Sequence, residues 1–387
     1  MSIFIEQGKM MKQMRNSIFL ILLFGVNIFG GVLDFEKYIT DEIADKKPPS
    51  ASFAILKGSK IIYTKSLGFT DRSMTQKTTN SSVYHVYSLT KILTMSLVMK
   101  LIEEKKIRLH DSIRKYFPQF DLRYEGKKVD VTLLNLLNHS SGLGDRSSQI
   151  RTMFKETKSE TFQALPYLPG SEAKYSNVEY IILGKIIEKV MGKDFETLIQ
   201  KYILNPAKMR RSAFTYQPKI EKTQVYGTLQ FFSITDMVMR FMLKSESKGE
   251  YEGCMLWLKG FDIAWKPAGG LIASIDDMAK FISAYHKHRL FSAKTKKRIY
   301  EQKNVIVDSW MSSQDEVHFG IGWYHIRDKG KFFYQHQGLG PGFRTIIRIY
   351  PKYDVSIIIL TSQTSIDIDL WADTLIEDII TNETIAL

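Results

Sequence analysis

Apolar and polar residues alternate through positions 51–56 and 61–69, and Gly58-Ser59 stands between the two runs, so the pattern predicts a β-hairpin. The same two-residue period predicts antiparallel strands near the other end of the chain, at 318–326, 331–336, 344–350 and 355–361. Residues 92–317 follow mainly the helical period, and a closing helix is predicted over 367–380. We therefore expect an α+β fold in which N- and C-terminal segments form one antiparallel sheet, flanked by helices.

Domain boundaries follow from these patterns. We predict one catalytic domain over 32–387, with a sheet lobe from 32–91 and 318–387 and an inserted, mostly helical lobe from 92–317. Ahead of it, Lys9, Lys12 and Arg15 precede an apolar run at 18–29, which is typical of an export signal. We expect residues 1–31 to direct export to the periplasm or cell envelope. The alternative is an uncleaved membrane anchor, since the run nearly reaches the length of a spanning helix.

Composition and charge narrow the function classes. The chain has 387 residues, 44% of them hydrophobic, which suffices for a large core. Its formal net charge is +13, but the lysines are scattered in pairs and form no nucleic-acid motif, so we expect no nucleic-acid partner. A solvated basic surface is the main interpretation, and association with a membrane or wall polymer is the alternative. The single cysteine, Cys254, stands beside apolar residues and is predicted to be a buried thiol.

The segment Ser88-Leu89-Thr90-Lys91 places a hydroxyl and an amine three residues apart, where a strongly apolar helix begins. Residues at this spacing share one face of a helix, so the two side chains can meet. Burial and the positive end of the helix dipole both favour a neutral lysine, which can accept the serine proton. Ser88 and Lys91 are therefore a candidate nucleophile and base. The alternative is a capping serine beside a surface lysine.

Two further motifs carry groups suited to catalysis. Tyr175-Ser176-Asn177 stands just before a helical pattern and supplies a phenol that can relay protons and a carboxamide that can orient a substrate. His336-Gln337-Gly338 ends an aromatic strand, where small residues let the backbone approach a ligand. A capped turn and an ordinary glycine-rich hairpin are the alternatives. No set of histidines has metal-ligand spacing, and we expect neither metal nor cofactor.

In this order and at these separations, the three motifs resemble the serine hydrolase family of class C beta-lactamases, penicillin-binding DD-peptidases and related esterases. Connecting segments that also look like that family are Leu137 to Leu143, Pro169-Gly170, Pro267 to Leu271, Phe319 to Trp323 and His336 to Phe343. The resemblance covers roughly residues 34 to 380. It implies a beta-lactamase/transpeptidase-like fold.

The resemblance also implies roles for individual residues. Ser88 would be the acylated nucleophile, Lys91 its base and Tyr175 the proton relay to the leaving group, while Asn177 would orient the substrate. His336 and Gly338 would belong to the substrate-binding strand, and the backbone N–H groups of Ser88 and Leu339 would form the oxyanion hole. Such a site uses no metal and no cofactor.

His336 departs from the drug-hydrolysing members, in which a lysine begins the corresponding triplet and can hold a substrate carboxylate. Histidine is mostly neutral at neutral pH. We therefore expect hydrolysis of a small ester, amide or peptide, as in the esterase and D-amino-acid amidase members. A beta-lactamase or DD-carboxypeptidase is the alternative, and a non-catalytic penicillin-binding-like protein is a second one. The oligomeric state does not follow from the sequence.

Segment 231–265 is unusually rich in methionine and aromatic residues. Packing of two helices in the core is our main interpretation of these residues. The alternative is an apolar lip that admits an acyl chain or touches a membrane, since methionines and aromatics make adaptable surfaces.

Overall fold

The computed structural model describes residues 32–45, 48–144, 163–306, 314 and 316–384. The apolar run at 18–29, for which export or anchoring is predicted, lies outside these ranges. Among the helices within them, none is both long enough and apolar enough to cross a bilayer.

A large antiparallel sheet forms the centre of the molecule. In chain order, the strands of the described residues are β1 (Ser50–Lys57), β2 (Lys60–Gly68), β3 (Val83–His85), β4 (Leu122–Tyr124), β5 (Lys127–Lys128), β6 (Gln163–Ala164), β7 (Thr228–Gln230), β8 (Lys248–Glu252), β9 (Met255–Leu258), β10 (Ile272–Ser274), β11 (Lys303–Ile306), β12 (Glu316–Gly320), β13 (Tyr324–Asp328), β14 (Lys331–Gly340), β15 (Phe343–Tyr350) and β16 (Val355–Thr361). The large sheet has eight of them in the order β11-β12-β13-β14-β15-β16-β1-β2. N- and C-terminal strands meet where β1 pairs with β16, which confirms the predicted sheet.

Helices cover both faces of this sheet. They are α1 (32–44), α2 (Thr90–Glu103), α3 (Leu133–Leu137), α4 (Asn177–Met191), α5 (Phe195–Ile199), α6 (Asn205–Ala207), α7 (Pro218–Glu221), α8 (Ile234–Met242), α9 (Lys266–Gly269), α10 (Ile275–His286), α11 (Ala293–Glu301) and α12 (Ile368–Thr384). Shorter turns of 3₁₀ or π type lie at Tyr87–Leu89, Ile113–Lys115, Gln200–Leu204, Ser245–Ser247 and Pro351–Tyr353. The predicted closing helix is thus present as α12.

Two hydrophobic cores lie on opposite faces of the sheet. Ala54 and Ile358 are paired across β1 and β16, and both belong to the core shared with α2, α4 and α10. The neighbouring pair, Phe53 and Ile359, belongs to the second core with α1 and α12. Successive residues of a strand point to opposite faces. Both faces are covered here, which explains the continuous apolar runs in these strands.

Two predictions about residues 303–326 are wrong in detail. The single strand predicted over 318–326 is in fact β12 and β13, joined by a turn in which Gly322 has a φ of +71°. Glycine reaches this left-handed conformation without strain, and the chain reverses there. The large sheet also includes Lys303–Ile306, which lies in the range predicted for the helical lobe.

The predictions for segment 231–265 are only partly correct. Cys254 is exposed in the turn between β8 and β9, so the prediction of a buried thiol is wrong. Met255 and Trp257 of β9 are buried, as core packing requires. The segment does not form two packed helices, however. Helix α8 turns several large apolar side chains, among them Phe241, toward solvent.

Candidate active site

Ser88 lies in the tight turn between β3 and α2. The turn begins at Tyr87, which adopts a φ of +45°, a conformation that is unfavourable for a bulky residue. The hydroxyl of Thr90 donates to the Tyr87 carbonyl at 2.6 Å and accepts the Leu271 N–H at 3.1 Å. These bonds fix the strained turn from both sides and hold the Ser88 side chain half-buried at the start of α2.

Strand β14 packs closely against this turn because two of its residues have no side chain. A Cβ atom at Gly338 would lie 2.2 Å from the Val86 carbonyl oxygen, and one at Gly340 would lie 2.2 Å from the ring of Tyr87. The hydroxyl of Tyr87 donates to the Pro341 carbonyl at 2.8 Å. The backbone of β14 therefore runs directly beside the backbone of the Ser88 turn.

Lys91 is completely buried and contacts three oxygen atoms. Its Nζ lies 3.0 Å from Ser88 Oγ, 2.8 Å from Asn177 Oδ1 and 2.6 Å from the Ala268 carbonyl oxygen. The last two oxygens can only accept hydrogen bonds, whereas the serine hydroxyl can also donate. A neutral amine would satisfy both acceptors with its two N–H bonds and turn its lone pair to Ser88. The geometry is thus suited to a general base.

Tyr175 completes the arrangement from the other side. Its hydroxyl lies 2.5 Å from Ser88 Oγ, and Lys91 Nζ lies 4.8 Å from its ring centroid. Ser176 stands at the N-cap position of α4, which begins at Asn177, so one helix start presents both the phenol and the carboxamide. The structure therefore brings Ser88, Lys91, Tyr175 and Asn177 together, although they come from distant parts of the sequence.

His139 supports the tyrosine from behind. Its ring centroid lies 4.7 Å from that of Tyr175, and its carbonyl accepts the Lys174 N–H at 2.8 Å. Burial and the nearby charge of Lys91 lower the pKa of His139 well below its usual value. Its Nδ1 makes a very short contact with the buried carboxyl group of Glu179 and also lies 3.3 Å from the Ser176 backbone nitrogen. Ser141 also donates to Glu179, at 2.5 Å. This network was not assigned any role from the sequence.

We expect the His139→Phe variant to lower kcat by about 10²-fold, with little change in KM, because phenylalanine keeps a ring beside Tyr175 but cannot bond Glu179, so that ring would no longer be held in position. Steady-state kinetics would measure the effect. His139→Asn keeps a donor for Glu179 and should recover stability without recovering the full rate. His325→Phe, a buried histidine of β13, serves as the control. An unchanged kcat in folded His139→Phe would show that His139 does not position Tyr175.

A cavity of about 720 Å³ opens in front of Ser88. Among the predicted site residues, Ser88, Tyr175, Asn177 and Leu339 line it. Lys91, His336 and Gly338 do not line this cavity. The side chains of Lys91 and His336 are buried. Other walls come from β14 and α8 and from the segment after β9, with side chains that include Met239, Leu243, Phe261, Ile263 and Trp265.

His336 is a neutral group in this structure. Burial, together with the charge of Lys91, lowers its pKa to about 3. Its Nδ1 lies 2.9 Å from the Gln337 carbonyl oxygen, and its ring packs 5.1 Å from that of Tyr324. A buried neutral imidazole cannot act as the cation that a lysine would provide at this position.

Arg344 is a cavity residue that the sequence did not point to. It lies opposite Leu339 across β14 and β15, and its guanidinium donates to Gln337 Oε1 at 2.7 Å. Its Nε is buried and has no hydrogen-bond partner within the described part of the chain. Only the cross-strand register brings Arg344 to the cavity, so no local motif could have identified it. The guanidinium Nη2 lies 3.9 Å from Asp369 Oδ2, so the cavity wall holds an arginine with a carboxylate nearby.

Within the described residues, no group of three or more histidine, cysteine, aspartate or glutamate side chains is placed to hold a metal ion.

Comparison with known proteins gives a consistent result. The family model described as Beta-lactamase matches residues 35–375. Protein flp of Staphylococcus aureus (strain MW2) is 26% identical over 324 residues, which are 82% of this chain and 60% of that protein. A putative D-alanyl-D-alanine carboxypeptidase of Escherichia coli K12 is 25% identical over 74% of this chain and 70% of its own length. The chain thus spans about 60% of the length of the staphylococcal relative.

Solved structures extend the likeness to the fold. An octameric penicillin-binding protein homologue from Pyrococcus abyssi superposes with a TM-score of 0.68 at 25% identity, over 86% of this chain and 74% of that chain. The D-amino acid amidase of Ochrobactrum anthropi SV3 gives a TM-score of 0.73 at 17% identity, over 92% of this chain and 99% of that chain. The second likeness concerns the fold alone. Together they confirm the predicted beta-lactamase/transpeptidase-like architecture.

Proposed function

Because the chain belongs to the beta-lactamase family, we propose that it is a serine hydrolase that cleaves a small ester or amide through an acyl-enzyme on Ser88. The observation that carries this proposal is the set of contacts that joins Ser88 Oγ to Lys91 Nζ at 3.0 Å and to Tyr175 OH at 2.5 Å. A hydroxyl is a weak nucleophile by itself and needs an adjacent base. Here the Lys91 amine and the Tyr175 hydroxyl, which can both take part in proton transfer, lie within hydrogen-bond distance of the Ser88 oxygen.

In the proposed mechanism, neutral Lys91 takes the Ser88 proton as the serine oxygen attacks the substrate carbonyl. Asn177 Oδ1 and the Ala268 carbonyl hold the resulting ammonium. The Lys91 ammonium returns this proton through the Tyr175 hydroxyl to the leaving alcohol or amine as its bond to the acyl carbon breaks, so Lys91 becomes neutral again. A water molecule, deprotonated through the same groups, then hydrolyses the acyl-enzyme and restores the Ser88 hydroxyl.

The oxyanion of the tetrahedral intermediate would be stabilised by the backbone N–H groups of Ser88 and Leu339. The close packing of β14 on the Ser88 turn, which Gly338 and Gly340 permit, supports this assignment. Each such donor typically lowers the barrier by roughly 3–4 kcal/mol.

The choice of ester or amide over beta-lactam rests on His336. The resemblance implies that family members that hydrolyse penicillins have a lysine at this position. His336 is instead buried, and its pKa is lowered to about 3. A substrate without a carboxylate therefore loses nothing at this position.

A substrate panel tests the proposal. We expect purified protein to hydrolyse short-chain aryl esters and D-amino acid amides faster than a chromogenic cephalosporin, with Ser88→Ala as the measure of background. Equal rates for folded wild type and Ser88→Ala on every substrate would refute the hydrolase. Faster turnover of the cephalosporin would instead refute the preference. A non-catalytic binding protein would retain ligands without turning any of them over.

One observation favours a second candidate, a carboxypeptidase-like activity on peptides with a free carboxylate. Arg344 lines the cavity with 18% of its side chain exposed, and its guanidinium lies 3.9 Å from Asp369 Oδ2. Arginine binds carboxylates with paired hydrogen bonds, so it could take over the task that His336 cannot perform.

For this candidate, we expect Arg344→Gln to raise KM for an N-acylated D-alanyl-D-alanine peptide by about 10-fold or more, since one charge-assisted hydrogen bond is worth roughly 1.5–3 kcal/mol. The C-terminal amide of the same peptide is the matched control and should show no such change. Equal effects on acid and amide would show that Arg344 supports the cavity without recognising a carboxylate.

A further inference from the structure

The α8 segment concentrates exposed apolar side chains. Of the eleven large apolar residues that are exposed in the described part of the chain, six lie between 231 and 241. We call them the α8 face: Phe231, Phe232, Ile234, Met237, Val238 and Phe241. Phe232 and Phe241 are each 82% exposed. Single apolar residues on a surface are common, but a contiguous group of this kind marks an interaction site.

Helix α8 is inverted relative to an ordinary surface helix. Ile234, Met237, Val238 and Phe241 follow the i, i+3, i+4, i+7 spacing of a single face, and that face is toward solvent. The acidic residue of the helix, Asp236, is instead 1% exposed and accepts the Gln230 N–H at 2.6 Å. Because its carboxylate is held inside, α8 offers apolar groups to the outside and no negative charge of its own.

Charges around the α8 face favour an anionic partner. Arg240 lies 5.0 Å from the ring centroid of Phe231, and the Lys244 side chain is 82% exposed just beyond the helix. Two exposed carboxylates near the helix are paired, Glu246 with Lys244 at 3.7 Å and Glu250 with Arg72, while Asp262 accepts the Tyr216 N–H in the cavity wall. The chain as a whole carries a formal charge of +13. Protruding aromatic and aliphatic residues with flanking basic residues are typical of helices that lie in a membrane interface.

We propose that the α8 face docks on the surface of a lipid bilayer with anionic headgroups. The aromatic and aliphatic side chains enter the boundary of the acyl region, while Arg240 reaches a lipid phosphate and Lys244 exchanges its weak contact with Glu246 for another phosphate. The opposite side of this segment contributes Met239 and Leu243 to the wall of the catalytic cavity. Docking thus places α8, which forms one wall of the cavity, between the cavity and the bilayer. The proposal concerns a surface outside the catalytic groups and does not depend on the reaction.

A fluorescent probe on α8 tests the docking in the full chain. Thr235→Cys, made in a Cys254→Ser background, allows an environment-sensitive label on the exposed helix. We expect vesicles of equal parts phosphatidylglycerol and phosphatidylcholine to shift its emission to the blue and to raise its intensity about threefold. Phosphatidylcholine alone should give a smaller change, and high salt should reduce the response.

Matched variants separate the α8 face from other routes to the membrane. Phe232→Ser with Phe241→Ser should abolish the response, whereas Leu33→Ser with Leu370→Ser, two residues exposed elsewhere, should retain it. A label at Leu370→Cys on α12 should not respond. Adding Ser88→Ala should leave docking intact. A failure of the hydrolase proposal can therefore be distinguished from a failure of the docking proposal.

Two outcomes would overturn the proposal. One is that the emission of the α8 label stays unchanged while the protein still floats with the vesicles. This would mean that another segment binds them. The other is an equal blue shift when the protein alone is concentrated, which would assign the α8 face to a second copy of the chain.

Discussion

Replacing Ser88 by alanine is expected to remove hydrolytic activity almost entirely, with a fall in kcat of roughly 10⁶-fold toward the uncatalysed rate. The reason is geometric: both proton-accepting groups, Lys91 and Tyr175, converge on the one oxygen atom that is deleted. Initial-rate kinetics with an aryl ester would measure the loss.

Ser96→Ala is the matched control, since Ser96 is a buried serine of the same helix whose hydroxyl donates only to the Ile92 carbonyl in its own turn. This variant should keep the wild-type rate. Ligand binding by Ser88→Ala should also persist, because the cavity walls are untouched. Comparable loss in both variants would indicate a general disturbance of α2 in place of a missing nucleophile.

Lys91→Met is expected to lower the rate of acylation by about 10³-fold or more, since general base catalysis of this kind contributes roughly 10²–10⁴-fold. Methionine fills similar space in a site that is completely buried, so the fold should persist. Loss of the donor to Asn177 and Ala268 should cost about 1–3 kcal/mol of unfolding free energy. Stopped-flow acylation kinetics and chemical denaturation would measure the two effects.

Lys100→Met provides the comparison for Lys91→Met, because Lys100 lies on the same helix with its amine partly exposed beside Glu103. Its acylation rate should match the wild type. Near-normal acylation in Lys91→Met would assign the base to Tyr175 alone and would contradict the proposed role of the lysine.

Sequence reasoning succeeded where the interaction is local. Ser88 and Lys91 are three residues apart at a helix start, and their side chains meet at 3.0 Å. The runs predicted as strands at 51–56, 61–69, 344–350 and 355–361 correspond to β1, β2, β15 and β16, although β1 and β16 are apolar on both faces. The turn at Gly322 was not predicted, because residues 318–326 were interpreted as one continuous strand.

Contacts between distant segments could not be predicted in the same way. The Ala268 carbonyl that holds Lys91 is 177 residues away in sequence, and Arg344 reaches the cavity only through the register of β14 and β15. The α8 face shows a different limit. Its apolar spacing is the same whether the stripe points inward or outward, so only the packing around Asp236 decides the direction.

The role of Ser88 as the nucleophile is tested by mass spectrometry after reaction with a fluorophosphonate, on the intact protein for the number of adducts and on its peptides for their position. We expect a single adduct on the peptide that contains Ser88, absent in Ser88→Ala and formed far more slowly in Lys91→Met. A folded wild-type protein that forms no adduct, or an adduct of equal yield in Ser88→Ala, would contradict it.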